Sequence, residues 1–331
     1  KKYAHNVPGK IPQSWRDDDD DKKPKKKGTK YMLGAKTPRE FGRRLGCCMA
    51  VLVIFLQLFR VYLKHRIEIK RAEQEAWIAN AQRFHSENHT CHTRTHPPVQ
   101  ACSPLKCGRV VIEDFITKDE CSQIISLAEF GMVNGGSSGG ATIMDLPSGA
   151  LSYGNQFINL HQILKKKHEH LPEDATLILK SVMSRVRHEV SDFFGAKQIM
   201  GTSPRFISRM DQKPAQTTHD EYWHEHVDSN QYPGFEYTAL LYLNDQGEDY
   251  TGGKFSFIDP YRDGNGDLQI GEPKVSTIKP QCGRLIFFTS GSENVHKVHK
   301  VETGTRYALT VAFTCDGAKV MTGPAAEWDP E

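Results

Sequence analysis

Two histidines and one aspartate in the C-terminal third of the sequence have the side chains of a metal site. His226 and Asp228 are separated by one residue in the segment HDEYWHEHVD, and His296 follows much later in the chain. Neutral imidazoles and one carboxylate hold a divalent metal ion without filling its coordination sphere, which suits non-haem Fe(II) oxygen chemistry. A site of this kind is therefore the working hypothesis for these three residues.

His224 is a rival ligand, because it has the same parity as His226 and Asp228. Residues two apart in an extended strand point to one face, so all three side chains could reach one ion. A site made of the two imidazoles without the carboxylate would be a different metal site. A single His-x-Asp pattern is also more often a surface hydrogen bond, so these alternatives stay open here.

Arg306 is a candidate anion-binding residue. The turn before it predicts that His296 and Arg306 lie on adjacent strands of one hairpin, with Thr310 on the same face as Arg306. A guanidinium group is almost never buried unpaired, and its planar fork pairs bidentately with a carboxylate. Binding of a dicarboxylate is one explanation for this arginine, and a structural salt bridge to Glu302 is the other.

Short β-rich runs bounded by glycine, proline or acidic residues dominate the sequence after Gly201. This pattern of short strands separated by turns predicts an antiparallel sandwich or barrel. Two helices followed by strands indicate a mainly β fold with supporting helices (α+β), that is, a double-stranded β-helix or jelly roll. The predicted strands are 206–209, 235–243, 254–258, 284–288 and 306–314.

Two amphipathic segments precede these strands. Thr117 and Glu120 have the capping-box spacing, which predicts a helix that runs to about Phe130 and stops before Gly131. A second helix is predicted at 174–194. Between them, the glycine-rich segment NGGSSGG lacks the Lys-Ser/Thr pair and the following helix of a phosphate-binding loop, so it is expected to be a flexible loop.

The N-terminal part of the chain contains a candidate membrane span. In residues 45–63 only Gln57 and Arg60 are strongly polar, and about 20 apolar residues cross a bilayer as a helix. We expect a single transmembrane helix there, with the more basic preceding segment in the cytoplasm. The net charge of the 331-residue chain is only +3, which argues against nucleic acid as a partner.

Several features after this span favour the lumen of the secretory pathway. Asn88-His89-Thr90 is a glycosylation acceptor. An even number of cysteines suits an oxidising compartment, and we favour disulfides over a zinc site. These cysteines are Cys91, Cys102, Cys107, Cys121, Cys282 and Cys315. We therefore expect a single-pass type II membrane protein of the endoplasmic reticulum or Golgi, and, because residue 1 is lysine, a start that is missing or processed.

The sequence divides into six predicted regions. A basic, disordered cytoplasmic tail precedes the transmembrane helix, and a stem with a linker follows it. A helical support region and the jelly-roll domain come next, and a short C-terminal tail ends the chain. In that order the regions are 1–44, 45–63, 64–101, 102–198, 199–318 and 319–331.

Five linked motifs in the C-terminal half carry a family resemblance. They are HVD at 226, EYTALLYLN at 236, GGKFSF at 252, GRLIFF at 283 and HKVHKVETGTRYALTVAF at 296. In order and spacing they resemble the prolyl-4-hydroxylase-like branch of the 2-oxoglutarate and Fe(II)-dependent dioxygenases, over roughly Cys107 to Cys315. The resemblance implies Fe(II) as cofactor, with 2-oxoglutarate and O2 as cosubstrates and ascorbate as reductant.

The resemblance also assigns roles to particular residues. His226, Asp228 and His296 would be the iron ligands, with His296 rather than His299 selected by the family spacing. Arg306 would bind the distal carboxylate of 2-oxoglutarate. The other cosubstrate contacts implied by the motifs are Tyr242 and Thr310, and a half-buried structural tyrosine is the alternative for Tyr242.

Tyr222 and Trp223, just before the metal-site residues, are candidates for lining the mouth where substrate enters, with core packing as the alternative. The implied reaction hydroxylates a side chain of a protein substrate and releases succinate and CO2. A membrane-tethered binding module that kept the fold without turnover is the alternative function.

Overall fold

The computed structural model describes residues 49–66, 83–89, 107–196, 198–259, 273–322, 325 and 328. The chain separates into two units, Lys1–Lys70 and Arg71–Glu331. The described part of the first unit is one helix, α1 (49–66), whose side chains are exposed. None of the described helices is both long and apolar enough to cross a membrane. Residues 45–48 of the span predicted at 45–63 lie outside the described residues.

The described part of the second unit is mainly β. Its helices are α2 (Lys118–Met132), α3 (Leu160–Lys167), α4 (Glu173–Phe194) and the one-turn α5 (Asp228–Gln231). Its strands are β1 (Arg83–His89), β2 (Cys107–Ile112), β3 (Gly136–Ser137), β4 (Ala141–Asp145), β5 (Ala150–Gly154), β6 (Gln156–Asn159), β7 (Met200–Met210), β8 (Tyr237–Tyr242), β9 (Tyr250–Gly252), β10 (Phe255–Asp259), β11 (Lys274–Ile278), β12 (Leu285–Thr289), β13 (His296–Val298), β14 (Val301–Gly304) and β15 (Arg306–Thr314).

These strands form one large sheet and two small ones. The large sheet has the order β1-β2-β12-β8-β15-β7-β4-β5-β3, with β6 paired to β5; the small sheets are β11-β10-β13 and β14-β9. Phe255 and Phe257 of β10 share a buried cluster with Tyr242 and Phe288 of the large sheet. The two sheets therefore enclose a common core, in agreement with the predicted jelly roll.

The central strand β8 is buried on both faces, which explains its continuous apolar sequence. Tyr237, Ala239 and Leu241 belong to the core shared with α2 and α4. Leu240 and Tyr242 point the opposite way, into the core between the sheets. Because side chains alternate along a strand, Thr238 also faces the space between the sheets.

Helix α2 begins at the predicted capping box: the Thr117 hydroxyl accepts from the Glu120 amide at 3.2 Å, and the Glu120 carboxylate accepts from the Thr117 amide at 2.9 Å. The helix continues to Met132, so the predicted end before Gly131 is wrong. Gly131 lies within the helix because it packs against Met144, whose Sδ would be 2.2 Å from a Cβ at that position. The second predicted helix is observed as α4.

The predicted order of two helices followed by strands is also wrong. Strands β2 to β6 lie within 102–198, and β1 lies in the segment expected to be stem. Strand β2 pairs with β12, and β4 pairs with β7, so both extend the large sheet. These pairings join segments far apart in sequence, which is why local composition did not indicate them. The predicted stem and linker residues 67–82 and 90–101 lie outside the described residues.

The glycine-rich segment at 134–140 is not the free loop that its composition predicted. It contains β3, and the Ser137 hydroxyl donates to Asp220 Oδ1 at 2.5 Å. Gly139 lies so close to Asp220 that a Cβ would be 2.1 Å from the carboxylate. The Asp220 carboxylate also accepts from the amides of Gln216 and Thr217. The glycine-rich segment therefore packs against and stabilises the turn at Asp220, which precedes the metal-site residues.

Cys121 and Cys282 form a disulfide that joins α2 to the segment before β12. Cys107 and Cys315 each take part in a disulfide as well. Because the Cys121–Cys282 bond closes a loop of 161 residues, replacing both cysteines by serine should lower the free energy of unfolding by about 2–4 kcal/mol. Urea denaturation measures this change, and a double variant as stable as the wild-type protein would contradict the prediction.

Candidate metal centre

His226, Asp228 and His296 come together in the second unit. Their ligand atoms lie within 4.8 Å of one another, and no second group of this kind occurs among the described residues. Asp228 Oδ1 is 3.6 Å from His226 Nε2 and 3.5 Å from His296 Nε2. The three atoms therefore face a common point.

The backbone brings these residues together by a long-range pairing. His226 and His296 exchange two backbone hydrogen bonds of 3.0 and 3.1 Å. His296 opens β13, whereas Asp228 is the first residue of α5. The expectation that His226 and Asp228 share an extended strand is therefore wrong for Asp228. The chain turns into a helix at this residue, and its carboxylate still points toward the two imidazoles.

A hydrogen bond at the far side of each imidazole sets the tautomer. His226 Nδ1 donates to the backbone oxygen of His224 at 2.9 Å, and His296 Nδ1 donates to that of Asn294 at 2.8 Å. A carbonyl oxygen only accepts, so the proton of each neutral ring lies on Nδ1. Both Nε2 atoms are left with a lone pair for a metal ion, which is the usual outer-shell arrangement of metal-binding histidines.

Asp228 is held by the side chain of Thr238. The Thr238 hydroxyl donates to Asp228 Oδ2 at 2.6 Å and lies 2.8 Å from the Ser290 hydroxyl. This bond occupies one carboxylate oxygen and leaves Oδ1 facing the imidazoles. The geometry therefore favours coordination through a single oxygen of Asp228.

The electrostatics of the three groups are coupled. Burial raises the pKa of the Asp228 carboxyl, but His296, Thr238 and His226 together lower this pKa by more than burial raises it. The net shift of the pKa is therefore downward. Burial and the neighbouring His296 lower the pKa of His226. Burial also lowers the pKa of His296, yet Asp228 reverses this and raises it above the usual value. A metal ion would therefore compete with a proton for the Nε2 atom of His296.

The donor set fits Fe(II). Two imidazole nitrogens and one carboxylate oxygen converge from one side, which is the facial arrangement of non-haem Fe(II) oxygenases. The rivals considered from the sequence do not join it. His224 is exposed, with its Nε2 2.9 Å from Glu221, and His299 Nε2 is 2.8 Å from the Ser256 hydroxyl.

Arg306 is a buried cation, and one of its two outer nitrogens has no hydrogen-bond partner among the described residues. The residue is 1% exposed. Its Nε donates to the Gly253 oxygen at 3.1 Å, and its Nη1 lies 3.7 Å from Met210 Sδ. Nη2 is buried without a hydrogen-bond partner among the described residues. The alternative salt bridge to Glu302 is not formed, and Glu302 is exposed.

The predicted hairpin that would join His296 and Arg306 is not observed. Arg306 begins β15 in the large sheet, whereas His296 begins β13 in a small sheet. Strand β14 lies between them in sequence and pairs with β9. The two functional candidates therefore reach the core from different sheets, because the intervening residues form a third pairing.

Tyr242 and Tyr250 flank Arg306. The Arg306 Cζ lies 5.4 Å from the centre of the Tyr242 ring. Both phenol oxygens are buried, and neither has a partner in the part of the chain that the structure describes. Burial raises the pKa of Tyr250 to about 12, although Arg306 opposes the shift. Burial also raises the pKa of Tyr242. Both groups therefore stay protonated at neutral pH.

Sequence reasoning missed Tyr250 and Thr238. Tyr250 stands two residues before the motif GGKFSF, and Thr238 is the one hydroxyl residue besides the tyrosines in the run YTALLY. A polar residue within a fully buried strand is a signal for a specific partner. That signal alone could have indicated Thr238, whereas the role of Tyr250 depends on the pairing of β9 with β14.

The remaining candidates lie at the periphery of this region or outside it. Thr310 is half-buried and shares the face of Arg306 on β15. The Tyr222 hydroxyl accepts a hydrogen bond from the Val301 amide at 3.1 Å, so its oxygen has a structural partner. Lys300 Nζ lies 3.7 Å from the centre of the Trp223 ring. Asn88 is exposed on β1.

Thr238 provides a test of how Asp228 is held. Replacing Thr238 by valine keeps the shape and removes the hydrogen bond to Oδ2, so we expect Fe(II) affinity to fall by about 10–100-fold, as for other outer-shell partners. Thr238→Ser should restore most of the affinity because it returns the hydroxyl. Anaerobic calorimetric titration measures the change, and unaltered affinity in Thr238→Val would exclude this role.

Comparisons with known proteins find relatives among the 2-oxoglutarate and iron-dependent oxygenases. Residues 212–314 match the profile of the 2OG-Fe(II) oxygenase superfamily. The chain is 43% identical over 228 residues to 2-oxoglutarate and iron-dependent oxygenase domain-containing protein 3 of Xenopus tropicalis, covering 68% of each chain. It is 28% identical to prolyl 3-hydroxylase 1 of Gallus gallus, over 63% of this chain and 29% of that protein.

A solved prolyl hydroxylase in complex with a hypoxia inducible factor oxygen degradation domain peptide fragment from Trichoplax adhaerens is 18% identical. The match covers 64% of this chain and 85% of the solved chain, with a TM-score of 0.40. By its similarity to the curated relatives, the chain belongs to the 2OG-Fe(II) oxygenase superfamily. Its class is that of the 2-oxoglutarate-dependent dioxygenases, which use Fe(II), 2-oxoglutarate and O2.

Proposed function

We propose that this protein is a membrane-anchored dioxygenase that hydroxylates a side chain of a protein substrate. In this proposal His226, Asp228 and His296 hold Fe(II), and Arg306 holds the distal carboxylate of 2-oxoglutarate. The observation that carries the proposal is the buried, unpaired Nη2 of Arg306 in the same barrel as the His-Asp-His group. A buried cation without an anion is costly, so the site is built for an anionic ligand.

One aromatic residue connects the two halves of this site. The Phe255 ring stacks on His296 with centres 5.1 Å apart. Phe255 also belongs to the buried cluster that contains Tyr242 and Ala308, and Gly253, two residues earlier, accepts from Arg306. The metal centre and the arginine therefore line one continuous interior.

When bound, Fe(II) and 2-oxoglutarate supply the oxidising chemistry, in which one atom of O2 enters succinate and the other enters the hydroxyl group of the product. The protein orients these partners. Arg306 and Tyr242 would hold the distal carboxylate, while the bond from Thr238 keeps Asp228 in place. The aromatic cluster around His296 excludes water from this side of the centre.

The protein substrate is inferred from a relative. The similarity to a protein named prolyl 3-hydroxylase supports a peptidyl side chain as the group that is hydroxylated. Trp223 and Tyr222 lie next to the metal-site segment and are the proposed lining of the substrate mouth. Extended aromatic surface beside a metal centre suits contact with a peptide.

Succinate formation tests the proposed activity directly. The purified full chain is titrated anaerobically with Fe(II) and 2-oxoglutarate in the presence of ascorbate and then exposed to O2. An enzyme forms succinate, at least slowly, without added substrate. Occupancy by both ligands without succinate would instead support the catalytically silent binding module.

A second experiment identifies the substrate. Proteomes with and without the active domain are compared for proteins that gain the mass of one oxygen atom.

We also propose that the chain is a single-pass type II membrane protein with its second unit in the lumen of the endoplasmic reticulum or Golgi. The apolar sequence at 45–63, the Cys121–Cys282 disulfide and the exposed Asn88 support this location. Glycosidase treatment should shift the mobility of the wild-type protein and leave Asn88→Gln unchanged. Release of the protein by carbonate extraction would contradict the membrane span.

A further inference from the structure

Three buried donors at Arg306 have no acceptor among the described residues. Arg306 Nη2 and the hydroxyl groups of Tyr242 and Tyr250 are all buried, and no described residue accepts a hydrogen bond from them. Leaving a polar group unpaired in the interior costs about 1–3 kcal/mol. Three such groups next to one another therefore indicate a ligand that accepts several hydrogen bonds at once.

The backbone holds Tyr250 beside Arg306. Tyr250 of β9 pairs with Gly304 of β14, and Gly304 lies two residues before Arg306 in the sequence. Gly253 lies between the two side chains: a Cβ there would be 2.9 Å from the Tyr250 ring and 3.0 Å from Arg306 Cδ. Only glycine leaves both side chains in place, and its φ of +61° also favours glycine.

The Tyr250 ring packs against apolar side chains. It is 2% exposed and packs in a buried cluster with Met210 and Val301. In such surroundings a phenol remains a donor, and its hydroxyl points to no acceptor of the protein. Tyr242 approaches the guanidinium from β8, the neighbour of β15 in the large sheet, whereas Tyr250 belongs to β9 of a small sheet, so the two phenols flank the same cation.

We propose that Tyr250 is a cosubstrate-binding residue that donates a further hydrogen bond, beside those of Arg306 and Tyr242, to the distal carboxylate of 2-oxoglutarate, and so makes the site selective for a 2-oxo dicarboxylic acid over a 2-oxo monocarboxylic acid. This inference rests on the proposed function, because it assumes that 2-oxoglutarate is the ligand. A carboxylate has two oxygens and about four acceptor positions, so it satisfies both phenols and Arg306 together.

Tyr250→Phe separates a binding role from a structural role. The substitution removes a hydroxyl that has no acceptor in the part of the chain that the structure describes, so the thermal midpoint of the ligand-free protein should stay the same or rise. Hydrogen bonds to charged groups contribute more than neutral ones, so the dissociation constant for 2-oxoglutarate, measured by anaerobic calorimetry with Fe(II) bound, should increase about tenfold or more. The dissociation constant for 2-oxopentanoate, which has the same chain length without the distal carboxylate, should not change.

Tyr237→Phe is the matched control. Tyr237 is a buried tyrosine of β8 that packs against Phe194 on the helix side of the sheet, so its hydroxyl should not affect cosubstrate affinity. If Tyr250→Phe binds 2-oxoglutarate as tightly as the wild-type protein, or loses ligand-free stability, the proposed role of Tyr250 is wrong. If the wild-type protein with Fe(II) does not bind 2-oxoglutarate, the proposed function itself fails.

Discussion

Replacement of Asp228 by alanine should abolish succinate formation and lower Fe(II) affinity by more than about 100-fold. Loss of an outer-shell partner alone typically costs about 10–100-fold in metal affinity, and Asp228 supplies the only carboxylate oxygen that a described residue places between the two imidazoles. Without it, His226 and His296 would offer the ion two neutral ligands. Anaerobic titration with Fe(II) and succinate measurement after exposure to O2 check both effects.

His224→Ala is the matched control for this experiment. His224 has the same parity in sequence, but its imidazole is exposed and pairs with Glu221 at 2.9 Å. Its backbone oxygen, which accepts from His226, is retained in the variant. His224→Ala should therefore bind Fe(II) like the wild-type protein. Normal Fe(II) binding in Asp228→Ala, or its loss in His224→Ala, would overturn the assignment of the metal centre.

Arg306→Met should weaken 2-oxoglutarate binding by about 100-fold or more while leaving Fe(II) affinity nearly unchanged. The substitution removes a fork that pairs bidentately with a carboxylate, and each hydrogen bond to a charged group contributes about 1.5–3 kcal/mol. Two such bonds correspond to about 3–6 kcal/mol, well beyond the roughly 1 kcal/mol of a surface ion pair.

Arg209→Met provides the comparison for Arg306→Met. Arg209 lies on β7, the strand next to β15, and pairs with Glu129 at 3.3 Å. Losing this partly exposed pair should not alter 2-oxoglutarate affinity. Methionine at position 306 removes a buried cation whose Nη2 has no hydrogen-bond partner among the described residues, and also the Nε donor to Gly253, so the stability of the ligand-free protein should change little. Equal 2-oxoglutarate affinity in the two variants would exclude Arg306 as the carboxylate-binding residue.

The elements that depend on neighbouring residues were accessible from the sequence. The capping box at Thr117 and Glu120 correctly placed the start of α2, since both hydrogen bonds form within four residues. The apolar run of β8 and the strand beginning at Arg306 were found for the same reason: hydrophobic patterning is local. The end of α2 was missed because Gly131 is retained by contact with Met144, a residue of another element.

Within the candidate site, the types of side chain were predictable from the sequence, whereas the residues that each side chain contacts in the fold were not. The imidazole and carboxylate side chains of HVD and the later His296 indicated metal chemistry without coordinates. Strand parity alone treats His224 and His226 as equivalent, and it was the family motif HVD that pointed to His226. His226 is selected by its backbone pairing with His296, a contact between segments that are distant in sequence.

The sequence by itself determined the family, the chemical types of the metal-site residues and the mainly β character of the second unit. These follow from the order of motifs and from local patterning. Tertiary structure decided which atoms converge: Nε2 of both histidines, one oxygen of Asp228, and the unpaired donors of Arg306, Tyr242 and Tyr250. Convergence depends on pairings among three sheets. Such pairings are set by packing across the whole unit, and local sequence does not encode them.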